Sequence, residues 1–438
     1  MNGRGGWFIP FSRQLLEYFD MPDAYIIDCV RTPRGIGKAG KGALAHMHPQ
    51  HLAATVMRAL KDRNNLDTAD IDDVIWSVSV QKGLQSGDLG RMAALDAGYD
   101  VAASGVTLDR FCGGGITATS FAAAQIMSGM ENLVVSGGTD MMSLHAAIFK
   151  QERENGALTG MGAGNERLKA RHAQPHQGVC GDAIAALEGF DRETLDRFAC
   201  ESQRRAAVAI AEKRFAKSII PVVDEEGRLV LAEDEFPRPE TTMETLAGLK
   251  PSFDAIATTP LDAAGTTFTD MIHTKYPGLA IKPVHHAGNS SGVVDGAAAI
   301  LLASPDYAAR HGLKPRARIV ATANCGGDPT LMLNAPVPAA RKVLAKAGLT
   351  KDDISIWEIN EAFAAVAEKF IRDLEIDRSR VNVNGGAIAL GHPIGATGAI
   401  LIGTALDELE RSGGRYALIT MCAAGGMAPA IIIERLAD

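Results

Sequence analysis

Short apolar, β-branched runs alternate along the chain with longer Ala-rich runs whose apolar residues recur at helical spacing. Residues 24–30 (AYIIDCV) predict a strand, 51–62 (HLAATVMRALKD) a helix and 73–80 (DVIWSVSV) a strand. Residues 115–129 predict a helix and 132–138 (NLVVSGG) a buried strand. The last third repeats the alternation: strands at 317–323, 353–359 and 416–422, helices at 338–349, 361–374 and 395–413. Such alternation implies an α/β protein with a largely parallel sheet.

Two stretches overlay. Cys112, three glycines, an Ala-rich helix and NLVVSGG match GHPIGATG, a small-residue helix and YALITMCAAGG. Each reads as glycine-rich loop, buried helix, buried strand, glycine turn, the mark of two related halves. Residues 143–292 differ. They are charged and turn-rich, carry a helix at 191–215, and predict an insertion folded over one face of the core. The expected division is an N-terminal half at 21–142 plus about 293–315, a covering loop domain at 143–292, and a C-terminal half at 316–438. Residues 1–20 have neither the strand pattern nor the apolar stretch of a signal peptide, and are read as an extension outside the fold.

Composition narrows the class. The formal net charge of -8 over 438 residues argues against general nucleic-acid binding and a polybasic membrane patch. No apolar run reaches the roughly 18–20 residues of a membrane span. Six dispersed cysteines without a CxxC pair argue against a disulfide framework or structural zinc, and fit a cytoplasmic location. Cys29, Cys200 and Cys325 read as small buried hydrophobes.

Cys112, in DRFCGGGITATS, stands at a helix N-terminus, where unpaired N–H groups and the helix dipole favour a thiolate. It could equally be a buried structural cysteine. His392, in NGGAIALGHPIGATG, lies on a loop with more glycine than a plain connection needs, and reads as a base able to take a thiol proton. Cys422 ends a strand before AAGGM, at the edge where α/β proteins place function, or is a core cysteine at a strand end. Asn360, before Glu361 at a strand-to-helix junction, is either an N-cap or an amide presented to a water or oxyanion. The loop HHAGNSSG (285–292) permits close approach of a ligand.

Together these segments resemble the thiolase family. Cys112 and its glycines look like the nucleophile loop, INEAF (359–363) like the NEAF motif, NGGAIALGHPIGATG like the histidine motif, and Cys422-Ala-Ala-Gly-Gly like the CxxGG motif. The resemblance runs from about residue 24 to the end. It implies two similar βαβαβαββ halves in an α-β-α-β-α layered core with an inserted loop domain. It also implies that Cys112 attacks a 3-oxoacyl-CoA, that His392 activates it, and that Cys422 handles the proton of the acetyl-CoA enolate. Asn360 with His392 would form one oxyanion hole, and the backbone N–H groups of Cys112 and Ala424 the other. Ala287 and Ser291 would lie along the coenzyme A pantetheine. No metal or tightly bound cofactor is implied, since coenzyme A and acyl-CoA are substrates.

Residues 175–206 and 235–253 look like the degradative 3-oxoacyl-CoA thiolases of fatty-acid β-oxidation, including β subunits of fatty-acid oxidation complexes. The implied partners are copies of the chain, as a homodimer or homotetramer, and a hydratase/dehydrogenase α subunit. Three departures put chain length in doubt: CGGG at the nucleophile, Asp140 where relatives commonly have Glu, and Ala424 where they often have Gly. Cys180 stands in the covering loop with no catalytic role. The close alternative is an acetoacetyl-CoA thiolase running the condensation. Ketosynthases share the fold but use Cys-His-His, and Cys422 opposes that class. A non-catalytic acyl-CoA or lipid-binding relative would be expected to lack Cys112, His392 or Cys422, and all three are present.

Overall fold

The computed structural model describes residues 22–157 and 160–436. The expected extension at 1–20 lies outside the described residues.

The strands are β1 (Tyr25–Arg31), β2 (Asp73–Ser77), β3 (Val106–Leu108), β4 (Leu133–Met141), β5 (Val294–Ala303), β6 (Ala317–Gly326), β7 (Ile354–Ile359), β8 (Tyr416–Thr420) and β9 (Met427–Arg435). They join in the order β7-β8-β9-β6-β1-β5-β4-β2-β3, and a two-residue strand, Gly35–Ile36, adds to β5. The principal helices are α1 (Pro49–Arg63), α2 (Leu89–Asp96), α3 (Gly114–Met127), α4 (Gln177–Glu188), α5 (Arg192–Ala211), α6 (Pro336–Ala347), α7 (Ala364–Leu374) and α8 (Ile394–Ser412).

The layering follows from which way alternate strand residues point. In β2, Val74 and Trp76 pack into a core with α1 and α2, whereas Ile75 faces α3 and α8. In β9, Ile431 and Ile433 face the same two helices from the other side, whereas Ala430 and Ile432 pack against α6 and α7. The result is five layers, with α3 and α8 between two sheet regions. This is the α-β-α-β-α core that the resemblance implied. The two regions are not separate sheets: β1 pairs with β6 through Tyr25–Arg318 and Ile26–Ala317.

The largely parallel sheet is a correction. Only β2–β3, β2–β4 and β7–β8 pair in parallel, while β5 and β9 run antiparallel to both neighbours. For β9 the cause is connection length. Six residues separate β8 from β9, too few for a parallel crossover. The strand β9 was implied only by the ββ ending expected of each half, not read from residues 427–435.

The buried face of α3 carries three hydroxyls. Each bonds back to a carbonyl one turn earlier: Thr117 to Gly113 (2.8 Å), Thr119 to Gly115 (3.1 Å), Ser120 to Ile116 (2.8 Å). The polar atoms are thereby satisfied inside the core.

Candidate active site

Cys112 and His392 occupy matching places in the two halves. Each stands two residues before its central helix, Cys112 before Gly114 of α3 and His392 before Ile394 of α8. Cys112 sits in a tight turn after Phe111, whose φ of 49° is unusual for an aromatic residue. Asp109 accepts the Phe111 N–H at 2.6 Å and holds that turn. Cys422 lies two residues past β8. The two cysteine loops are in contact: a β-carbon on Gly113 would lie 2.8 Å from Pro429 and 3.4 Å from Ala423.

Asn360 enters from the end of β7, its N–H on the Thr420 carbonyl. Its amide Nδ2 lies 3.4 Å from His392 Nε2. His392 Nδ1 lies 2.6 Å from Thr397 Oγ1, and that hydroxyl donates to the Pro393 carbonyl at 2.9 Å. With its only proton used there, Thr397 Oγ1 accepts from Nδ1–H, which leaves Nε2 as the basic nitrogen. The loop before His392 turns at Gly391, with φ 91° and Val294 Cγ1 2.4 Å from where a β-carbon would stand, so only glycine fits.

The 285–292 loop is stitched onto this locus. Ser291 N–H donates to Ala362, Gly292 N–H to Ala387, and Gly292 in turn accepts from His392 N–H at 2.8 Å. Ala287 is exposed and Ser291 half-buried. Ala424 is half-buried in the turn after Cys422. The structure thus sets Asn360 against His392, the Cys112 loop against the Cys422 loop, and the segment of Ser291 and Gly292 against the His392 loop.

Cys112, His392, Cys422 and Asn360 are all buried. Burial decides the protonation of the two thiols and the imidazole. It pushes the Cys112 thiol up, with Cys422 and Asp140 adding to the effect. The expected lowering by the helix N-terminus is overridden, because desolvation of a thiolate outweighs a partial dipole charge. Burial likewise pushes Cys422 to about 12 and lowers His392 to about 4, against the pull of Asp140. The resting site holds two neutral thiols and a neutral imidazole.

Sequence reasoning missed several residues. Thr397 was quoted in the histidine motif without a role, although one helical turn from Pro393 is the spacing for its hydroxyl bond. Asp140, noted only as a departure, is wholly buried and accepts from Ser79 N–H (3.1 Å), Gln85 (3.2 Å) and Gly395 N–H at the start of α8. His285 and His286 are buried on Asp182 (2.8 Å) and Asp196 (2.7 Å), tying the 285–292 loop to α4 and α5. Cys180 is buried, its Sγ 3.4 Å from the Thr330 carbonyl. Cys29 is buried as expected, but Cys200 and Cys325 are only half-buried, packed at the margin of a core cluster.

Family models match both parts of the chain, thiolase N-terminal domain over residues 24–267 and thiolase C-terminal domain over 313–435. The chain belongs to the thiolase family. It is 39% identical to a β-ketoadipyl-CoA thiolase of Acinetobacter baylyi over 95% of this chain and 100% of the relative. It is 41% identical to a steroid 3-ketoacyl-CoA thiolase of Mycobacterium tuberculosis, over 95% of each chain. A 3-oxoadipyl-CoA/3-oxo-5,6-dehydrosuberyl-CoA thiolase of Escherichia coli is 41% identical over 95% of this chain and 100% of its own. The resemblance to degradative thiolases is borne out, and this thiolase is an acyltransferase acting on coenzyme A thioesters. Among the described residues no helix is long and apolar enough to cross a membrane. Among them, too, no group of three or more His, Cys, Asp or Glu is placed to hold a metal.

Proposed function

We propose that this thiolase cleaves 3-oxoacyl-CoA thioesters with coenzyme A, giving acetyl-CoA and a shortened acyl-CoA through an acyl-enzyme on Cys112. The observation that carries the reading is the hydrogen-bond chain Pro393–Thr397–His392, which leaves the His392 Nε2 lone pair beside the Asn360 amide. Because thiol and imidazole are both neutral at rest, Cys112 would lose its proton to His392 as it attacks the 3-keto carbon, not before. Asn360 with Nε2 and the N–H groups of Cys112 and Ala424 would hold the two oxyanions. Cys422 would protonate the leaving enolate, then take the proton of the incoming coenzyme A thiol. Ala287 and Ser291 would flank the pantetheine. The unit at 143–292 would cover the substrate, and its Phe253 meets Phe363 beside the Asn360 segment at 5.7 Å between ring centres.

Fatty-acid β-oxidation is the proposed setting, with an apolar acyl chain supported by that aromatic cluster. A second reading, a 3-oxodicarboxylyl-CoA substrate, draws support from the relatives named for β-ketoadipyl-CoA. Thiolysis rates with acetoacetyl-CoA, a medium-chain 3-oxoacyl-CoA and 3-oxoadipyl-CoA separate the alternatives. Fastest turnover of the medium chain is expected; fastest turnover of acetoacetyl-CoA would turn the assignment to the condensing class.

A homodimer or homotetramer in the cytoplasm belongs to the proposal. The edge strand β3 exposes Val106, and Phe121 of α3 is 45% exposed, apolar surface suited to a second copy. Native mass spectrometry checks it. A hydratase/dehydrogenase α subunit as further partner rests on the sequence resemblance alone.

A further inference from the structure

The two residues that hold the His392 ring, Asn360 and Thr397, also wall a small enclosed cavity on which Arg34 and Glu358 converge. Arg34 and Glu358 are 4% and 1% exposed. Their polar atoms are orphaned: among the described residues Arg34 Nε and Nη1, both Glu358 carboxylate oxygens and Asn360 Oδ1 have no hydrogen-bond partner. Five unpaired buried polar atoms around one cavity are costly, and buried polar groups are met elsewhere in proteins by partners or by ordered water.

The neighbouring carboxylates are engaged elsewhere. Asp234 is held by both Arg31 nitrogens and the Arg34 backbone N–H. Glu361, the next carboxylate along, accepts from Ser202, Asn382 and Ile388 N–H. Glu408 is bonded to Asn384 and Arg411. The cavity leaves about 10 Å³ for the centre of a water molecule, roughly the space that one water needs.

We propose that Arg34 and Glu358 are positioning residues for the reaction. A water bonded between them and to Asn360 Oδ1 fixes the Asn360 amide so that its NH2 group stays on His392 Nε2. The amide has two faces to satisfy. With Oδ1 secured in the cavity, rotation that would put oxygen against the Nε2 lone pair is disfavoured. Arg34 thereby joins a loop near the N-terminus to the second half's site, over a sequence distance that no local pattern reveals. The inference rests on the roles of Asn360 and His392 given above.

The test has two arms. In the first, Glu358→Leu and Arg34→Met remove the water's partners, and Glu358→Gln retains one. The Leu and Met variants are expected to lower kcat for thiolysis about 10–100-fold with KM nearly unchanged, and Glu358→Gln to recover most of the rate. A wild-type kcat in a folded Leu variant, or a loss confined to KM, overturns the inference. The second arm needs no variant. A high-resolution crystal structure of the wild-type protein is expected to show water within hydrogen-bond distance of Arg34, Glu358 and Asn360 Oδ1. A dry cavity, or a direct Arg34–Glu358 ion pair, overturns it. Wild-type acylation of Cys112, measured by mass spectrometry, keeps the two levels apart. No acylation defeats the proposed function; acylation with unaffected variants defeats this inference alone.

Discussion

Gly115 and Gly398 meet backbone to backbone where α3 crosses α8. A β-carbon on Gly398 would stand 2.2 Å from the Ile116 nitrogen and 2.9 Å from Gly115 Cα. This crossing sets how far apart the loops bearing Cys112 and His392 can sit. Gly398→Ala would have to part the two helices, so it is expected to lower unfolding stability by about 1–3 kcal/mol and to reduce kcat as well. Urea unfolding and steady-state rates on the same preparation check both.

Thr397→Val keeps shape and removes the acceptor for His392 Nδ1–H. The other tautomer then becomes accessible, placing a proton where the base is needed. A fall in kcat of about 10–100-fold is expected by analogy with other ring-orienting partners, with KM little changed. Thr397→Ser should restore activity. Equal activity in the Val variant would show that the ring is oriented by something else.

Cys112→Ser is expected to give no acyl-enzyme with a 3-oxoacyl-CoA, read as the absence of the acyl mass on the intact protein. A serine hydroxyl is a far weaker acid and a poorer nucleophile than a thiol.

Cys422→Ser separates the two thiols. It should still acylate at Cys112, while exchange of the acetyl-CoA α-protons into deuterated water slows by about 10²–10⁴-fold, the usual weight of a general acid or base. Normal exchange in this variant would contradict the assignment of the proton to Cys422.

The pH dependence of stability carries a sign. His392 falls from 6.5 in the free residue to about 4 in the fold, because burial penalises the imidazolium. Between those values the unfolded chain binds more protons than the folded one, so stability from this group is present above 6.5 and is lost as pH falls toward 4. The drop in melting temperature from pH 7 to pH 4.5 should therefore be smaller in His392→Gln than in the wild type.

Much was legible in the chain itself. β1, α1, α3, α7 and α8 lie within a few residues of their expected places, because each carries its own apolar period and its own glycine or turn punctuation. The residues that gather at the site were also legible, since CGGG, INEAF, GHPIGATG and CAAGG are short contiguous patterns. Strand direction was not. A buried run such as Val294–Ala303 reads the same whichever way its neighbours point, and only pairing with β1 and β4 made it antiparallel.

The state of the site belongs to the tertiary structure alone. Locally, Cys112 stands at a helix N-terminus and should ionise easily; in the fold, Cys422, Asp140 and the surrounding core close over it and hold it neutral. The Arg34–Glu358–Asn360 cavity is likewise invisible in one dimension, since its polar atoms come from segments more than 300 residues apart. Local sequence determined which elements form and which reactive side chains they carry. Desolvation and hydrogen bonding depend on what packs around a group, and only the folded chain decides that.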